Sequence, residues 1–221
     1  MKTNEKIIFI STWIKDYVSK MPNKAQSLVI GVSGGIDSSV SSTLSAMTGL
    51  KTIVLSMPIK QKSLQHDLSL KHQDWLISKF NNELGMANSK ARLRMTTLYQ
   101  VAAANKGIVV GTGNKIEDFG VGFYTKYGDG GVDISPIADC NKTEVWELGK
   151  ELGILEEIIN AAPTDGLWDD GRTDEGQLGL TYKDLEEAMN NHNSLNREKY
   201  EKIRKLNLHK MEPIPICKIP N

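Results

Sequence analysis

The run Ser33-Gly34-Gly35-Ile36-Asp37-Ser38 gathers hydroxyls, glycines and a carboxylate into a few positions. It follows the short apolar run Leu28-Val29-Ile30-Gly31-Val32 and precedes residues expected to form a helix from about Ser38 to Met47. At a strand-to-helix turn, backbone N–H groups and the helix dipole both favour an anion. Glycines let the main chain wrap closely around oxygens, Ser33 and Ser38 can donate hydrogen bonds, and Asp37 can hold a magnesium ion. Phosphate is the expected guest. The Walker A spacing G-x-x-x-x-G-K-[ST] is absent from the chain, which disfavours kinase-like transfer of a terminal phosphoryl group. Ser-Gly-Gly alone would serve equally as a connecting turn; Asp37 and Ser38 after an apolar strand favour the phosphate reading.

Further polar residues stand where chemistry is expected. Thr112 and Glu117 follow the apolar run Ile108-Val109-Val110, at the carboxyl end of an expected strand, where open parallel sheets place their ligands. A lone glutamate there is commonly a surface residue, but paired with Asp37 it makes a second magnesium ligand, since magnesium takes one or two carboxylates plus phosphate oxygens. Arg92 and Arg94 lie two apart on an expected helix and so point in different directions, toward two ligands, two subunits or solvent. Lys142 opens a helix, where the dipole disfavours a cation, and that misfit argues for a ligand role. His209 by itself reads first as an exposed tail residue.

Elements to position these residues can be read from apolar spacing. Ile7, Ile10, Ile14 and Val18 give an amphipathic first helix ended by Pro22. Thr52 to Met57 reads as a second buried strand closed by Pro58, and Ile108 to Thr112 as a third. Strand, helix, strand in this order implies a right-handed parallel crossover. Helices are expected over about Leu64–Phe80, Ala87–Ala104, Thr143–Leu152, Leu155–Asn160, Tyr182–Asn190 and Arg197–Leu206. Gly120 to Pro136 is rich in Gly and Asp and reads as a loop of the kind that carries function, and the proline-containing tail after His209 as extended.

Composition bounds the alternatives. A chain of 221 residues with 39% hydrophobic and 24% charged residues fits one folded domain with a sizeable core. Lys plus Arg equals Asp plus Glu at 27 each, so no broad field attracts nucleic acid or an anionic membrane, and anions must be met locally. Cys140 and Cys217 are far apart and outside any CxxC pattern, which encodes neither a disulfide framework nor a zinc site. The N-terminal apolar residues are interrupted by Ser11, Thr12, Lys15 and Asp16, too broken for a signal peptide or a spanning helix. These features place the protein in the cytoplasm.

The loop from Gly31 through Val32, Ser33, Gly34, Gly35, Ile36 and Asp37 to Ser38 resembles the pyrophosphatase loop of the ATP-dependent adenylating superfamily, which cleaves ATP between the α and β phosphates. Within it, the NAD synthetase family is resembled by Asn88 to Met95, Gly111 to Glu117, Gly122 to Asp133 and Pro163 to Trp168, with Thr173-Asp174-Glu175 and Leu178-Gly179 fitting as well. The resemblance implies an α/β, Rossmann-like, doubly wound parallel sheet with helices on both faces, of the adenine nucleotide alpha hydrolase type. It implies one synthetase domain over residues 1–221 and no glutaminase domain. The activity implied is amidation of deamido-NAD with ammonia through an adenylated intermediate, giving NAD, AMP and pyrophosphate.

By the same resemblance Gly31 to Ser38, Thr112, Lys142 and Thr164 bind ATP, and Asp37 and Glu117 bind Mg2+. Asn88, Arg92, Arg94, Phe123, Lys126, Asp133, His209 and Lys210 hold deamido-NAD, some from a neighbouring subunit of a homodimer. Asp37 and Lys142 act in catalysis, and Asp129 or Asp133 is available to accept a proton from ammonium. The chain departs from the family pattern at three places. Phe80-Asn81-Asn82-Glu83 makes a shorter connection than usual; the interval from Glu117 to Gly122 is one residue longer; and Met211 stands where an arginine often follows the His-Lys pair.

Overall fold

A computed structural model describes residues 1–21, 24–33, 35–55, 83–164, 166–168 and 172–215. The expected helix over Leu64–Phe80 and the connection at Phe80–Glu83 lie outside the described residues, apart from Glu83 itself. Three strands form a parallel sheet in the order β2-β1-β3, where β1 is Ser27–Gly31, β2 is Lys51–Leu55 and β3 is Gly107–Val109. Helix α1 (Thr3–Lys20) precedes β1, α2 (Ile36–Met47) joins β1 to β2, and α3 (Glu83–Ala104) leads into β3. The chain then runs through a π-helix, Lys115–Val121, to α4 (Lys142–Glu151), α5 (Glu156–Ile159), α6 (Asp174–Leu178), α7 (Tyr182–Asn190) and α8 (Arg197–Met211).

Alternation along β1 sorts the core into layers. Leu28 and Ile30 face α1, α2 and α4, meeting Ile7, Ile10, Ile14, Val18, Val40, Leu44 and Leu148. Val29 points the other way, to Ala102 and Leu98 of α3. Strand β1 is thus buried on both faces, as its uninterrupted apolar run requires. The apolar stripe of α1 is what closes the first face: Ile7, Ile10, Ile14 and Val18 are all buried. A second apolar cluster gathers Ile116, Val121, Leu178, Leu180, Tyr182, Leu185, Ala188 and Tyr200, with Trp146 packing against both it and the first.

From β1 the chain moves to β2 on one side and returns to β3 on the other. The strand order therefore reverses between β1 and β3, and the carboxyl ends of the strands at such a switch point are the usual ligand position in these sheets. The Gly31–Ser38 loop and the segment beginning at Gly111 both leave the sheet there. The ladder of β3 is short, extended only by a bridge from Val110 to Ile134. Two elements went unread in the sequence: the π-helix and the one-turn α6. Helix α8 also runs on through Met211, beyond the expected end, because Lys210 is tied to the carbonyls of Gly122 and Tyr124.

Where β3 begins beside β1, a side chain at Gly107 would place its Cβ 2.6 Å from the Ser27 carbonyl oxygen and 2.3 Å from its hydroxyl. Gly107→Ala is expected to cost about 1–3 kcal/mol through forced displacement of paired backbone. Urea denaturation measures this; an unchanged midpoint would show that the strand pair yields freely.

Candidate active site

Helix α2 begins without a side-chain cap, its first residue preceded by Gly35 in extended conformation. Inside the loop the hydroxyls bind one another: Ser38 Oγ accepts from Ser33 N at 3.2 Å, lies 3.1 Å from Ser33 Oγ and donates to the Gly35 carbonyl at 3.0 Å. The Gly35 N–H donates to Ser33 Oγ. These bonds hold the turn in shape without a ligand, and the uncapped first turn of α2 offers N–H donors to an anion. Gly34 lies outside the described residues.

Asp37, in that first turn, meets two residues far away in sequence. Lys142 Nζ donates to Asp37 Oδ2 at 2.6 Å and to Glu117 Oε1 at 3.0 Å. Lys142 is 1% exposed, although it stands at the first position of α4. Its burial works against charge, yet Glu117 and Asp37 outweigh that and hold the ammonium above its ordinary range. Burial first, then the neighbouring Glu117 charge, pushes Asp37 up to about 6 against the pull of Lys142. Asp37 Oδ1 is buried and accepts no hydrogen bond among the described residues.

Glu117 is delivered by the π-helix. Asn114 is fully buried, and its Oδ1 accepts from the N–H groups of Ile116 and Glu117, each at 3.0 Å. This is a helix-start cap with glutamate in the first turn, a pattern present in the sequence as Asn114-Lys115-Ile116-Glu117. A π-helix accommodates an added residue within a helical segment. Next to Glu117, Asp118 rests over Gly113 so closely that any Cβ there would stand 2.0 Å from its Oδ2. Burial, with the charges of Glu117, Asp129 and Asp37 added, holds Asp118 well above the usual carboxylate range.

Asp118, Tyr124, Asp129, Gly111, Gly113 and Ser135 line a small cavity of about 80 Å³. It suits small polar molecules rather than a nucleotide. Asp129 caps the turn Thr125 to Gly130 by accepting from Thr125 N at 2.9 Å, and Thr125 Oγ1 donates to Asn88 Oδ1 at 2.7 Å. Asp133 has both oxygens engaged: Oδ2 accepts from Val109 N at 2.8 Å and Oδ1 from the Tyr99 hydroxyl at 3.2 Å.

The basic residues expected at a substrate are seated on backbone carbonyls. Arg92 Nε donates to Lys126 O at 3.4 Å and Arg94 Nη2 to Gly166 O at 3.4 Å, so the two do point apart. Lys126 Nζ donates to His209 O at 2.8 Å, while the His209 residue is exposed. Lys210 Nζ bonds the carbonyls of Gly122 and Tyr124, and burial lowers its pKa. Phe123 packs against the second apolar cluster, Thr112 is half-buried and Thr164 exposed. The structure thus joins Asp37, Glu117 and Lys142 directly, whereas Thr164 and His209 make no side-chain hydrogen bond with them. Residues missed in the sequence are Asn114, Asp118 and Tyr182. Of these only Asn114 carried a local signal, its cap spacing.

Comparison with known proteins follows the same outline. The sequence matches the NAD synthase family over residues 7–83 and 70–219. It is 39% identical to an NH(3)-dependent NAD(+) synthetase of Carboxydothermus hydrogenoformans over 84% of each chain. Identity to the protein of that name from Finegoldia magna is 36%, over 91% of this chain and 90% of the relative. Among solved structures, an NMN synthetase from Francisella tularensis superposes with a TM-score of 0.82 at 31% identity, covering 100% of this chain and 99% of the other.

The buried carboxyl sets a pH dependence. Asp37 has a higher pKa folded, about 6, than its ordinary 3.8. The native state therefore binds the extra proton across that window, and the stability Asp37 contributes falls as pH rises through it. Without added metal, the stability of the wild type relative to Asp37→Asn should decline by on the order of 2–3 kcal/mol between about pH 4 and 6.5. Urea titrations at each pH measure this. A flat or rising difference would contradict the assigned burial cost.

Proposed function

The chain belongs to the NAD synthase family, and on that footing we propose that it joins ammonia to the nicotinate carboxylate of deamido-NAD at the expense of ATP. The observation carrying this reading is the meeting of Asp37 and Glu117, from two separate motifs, around Lys142 beside an uncapped helix start. A carboxylate resists ammonia because its leaving group would be oxide. In the proposed route a nicotinate oxygen attacks the α-phosphorus of ATP and the bond to the β-phosphate oxygen breaks, releasing pyrophosphate. Ammonia then adds to the carbonyl carbon of the mixed anhydride, AMP leaves, and a proton is lost to give the amide.

The chain's part is positioning and charge neutralisation. The α2 N–H groups and the loop hydroxyls receive phosphate oxygens, and Thr112 and Thr164 are the further ATP-binding residues of this reading. Asp37 and Glu117 fit a divalent cation: Asp37 Oδ1 is an orphaned buried acceptor, and two carboxylates against one ammonium leave negative charge in excess. Among the described residues no group of three or more His, Cys, Asp or Glu side chains is arranged as a metal cage. Mg2+ held here would take its remaining ligands from phosphate and water and would neutralise charge on the departing pyrophosphate. Asp129, which lines the small cavity, is the proposed proton acceptor for ammonium.

Ammonia is the proposed nitrogen source. Release of ammonia from glutamine needs an activated nucleophile; Cys140 is buried, and burial pushes its thiol up to about 11, which makes it inert. The chain as one synthetase domain, working in the cytoplasm, fits this reading; among the described residues no helix is long and apolar enough to cross a membrane.

A second reading differs only in substrate size: nicotinic acid mononucleotide in place of the dinucleotide. It is favoured by the full-length match to the Francisella tularensis NMN synthetase and by the seating of Lys126 and Lys210 on carbonyls, which leaves fewer cations for a second phosphate. With ATP and ammonium, deamido-NAD should be amidated with the higher kcat/KM, and glutamine free of ammonia should give no product. Asp37→Ala should abolish exchange of labelled pyrophosphate into ATP. Preference for the mononucleotide would establish the second reading, and exchange at wild-type rate in a folded Asp37→Ala would remove Asp37 from the mechanism.

We also propose a homodimer with the substrate site shared across its interface. Ile8, Phe9, Trp13 and Tyr17 of α1 and Leu93 of α3 are exposed. The two helices pack on opposite faces of the sheet, so one two-fold patch would use one of them. Sedimentation should show a dimer that either Trp13→Asp or Leu93→Asp dissociates. A monomeric, fully active wild type would exclude a shared site.

A further inference from the structure

The segment from Thr173 to Tyr182 contains Thr173-Asp174-Glu175 and Leu178-Gly179, which resemble the family pattern, yet nothing above gives it a task. Its folding is specific. Thr173 Oγ1 accepts from Gly176 N at 3.1 Å to start α6, the Asp174 N–H donates to Pro163 O at 3.0 Å, and Glu175 Oε1 accepts from Tyr182 N at 2.8 Å. These bonds return the chain so that Tyr182, at the first position of α7, points into the protein. Tyr182 is 1% exposed, meets Trp146 edge-on with ring centroids 5.8 Å apart, and presents its ring 4.9 Å from Lys142 Nζ.

The hydroxyl of Tyr182 donates to Glu117 Oε1, and Asp174 Oδ2 lies 3.3 Å away as a second, longer acceptor. Glu117 Oε1 thereby receives both Lys142 and Tyr182, while no described residue donates to Oε2. Two donors on one oxygen fix the rotation of the carboxylate about its last bond. Lys142 alone cannot do this, because it is shared with Asp37.

We propose that Tyr182 is a positioning residue: it locks Glu117 so that the free Oε2 is held ready for the divalent cation, and Thr173 to Glu175 exist to place it. This rests on the reading of Asp37 and Glu117 as cation ligands. Partners that orient a metal-binding carboxylate commonly govern affinity by about tenfold or more.

The test compares Mn2+ binding by wild type and Tyr182→Phe in the presence of an α,β-methylene analogue of ATP, with free Mn2+ read by electron paramagnetic resonance. Phenylalanine keeps the ring beside Lys142 and removes only the hydroxyl. Affinity for Mn2+ should fall about tenfold, and the Mg2+ half-saturation for amide formation should rise by a similar factor, with a smaller loss in kcat at saturating Mg2+. In a Glu117→Gln background the Phe substitution should cause no further loss. Unchanged Mn2+ affinity in a folded Tyr182→Phe, or a loss of kcat independent of Mg2+, would overturn the positioning role alone. Absence of Mn2+ binding by the wild type would overturn the cation reading and this role with it. Should Tyr182→Phe fail to fold, Glu175→Ala, which releases Tyr182 from outside the site, must weaken Mn2+ in the same way; equal affinity there would overturn the proposal.

Discussion

A lysine ammonium with almost no exposure to water survives only if carboxylates replace its hydration, and in this protein Asp37 and Glu117 do so. The rest of the site depends on that requirement. Asp37 sits on the first turn of α2, Glu117 on the π-helix and Lys142 on the first turn of α4, so one ion triad fixes three elements that share no local sequence. Lysine at a helix start is opposed by the helix dipole, and the two carboxylates must offset this as well as desolvation. The triad carries a net negative charge beside a helix start that attracts anions. That combination suits a polyphosphate bound together with a divalent cation better than either alone.

Holding the triad takes a second layer of structure. Asn114 spends its carbonyl oxygen on capping the π-helix, which sets where Glu117 emerges. The second apolar cluster, from Ile116 to Tyr200, supports the same helix from below and seats Tyr182 against Glu117. Trp146 belongs to the packing of both clusters, so the sheet core and the helical carboxyl half are mechanically continuous at the site. Thr143 adds a polar link, donating through N–H and hydroxyl to the two oxygens of Glu186.

The basic residues of α3, α8 and the loops between them follow a different rule. Lys90, Arg92, Arg94, Lys126 and Lys210 each donate to backbone carbonyls, stapling glycine-containing loops to α3 and α8. An anionic substrate that recruits one of them replaces a neutral acceptor with a charged one, a stronger hydrogen bond.

Much of this architecture was determined by sequence. The uninterrupted apolar run of β1, the stripe Ile7, Ile10, Ile14 and Val18, and the Ser33 to Ser38 turn are local patterns, set by side-chain spacing and by glycine chemistry within a few residues. The pairing of Asp37 with Glu117 was legible from the chemistry of a two-carboxylate cation site and from two motifs that resembled one family, whereas neither foretold that Lys142 would sit between them. Tertiary structure alone decided the rest. Tyr182 reads as an ordinary helix residue until α6 turns it onto a carboxylate 65 positions earlier. The carbonyl partners of Arg92, Lys126 and Lys210 likewise lie 34, 83 and up to 88 positions away. Burial of Lys142 could not be read from its neighbours, since it follows from charges brought together by folding; periodicity reports which face is apolar, and carries no record of which distant polar groups will share it.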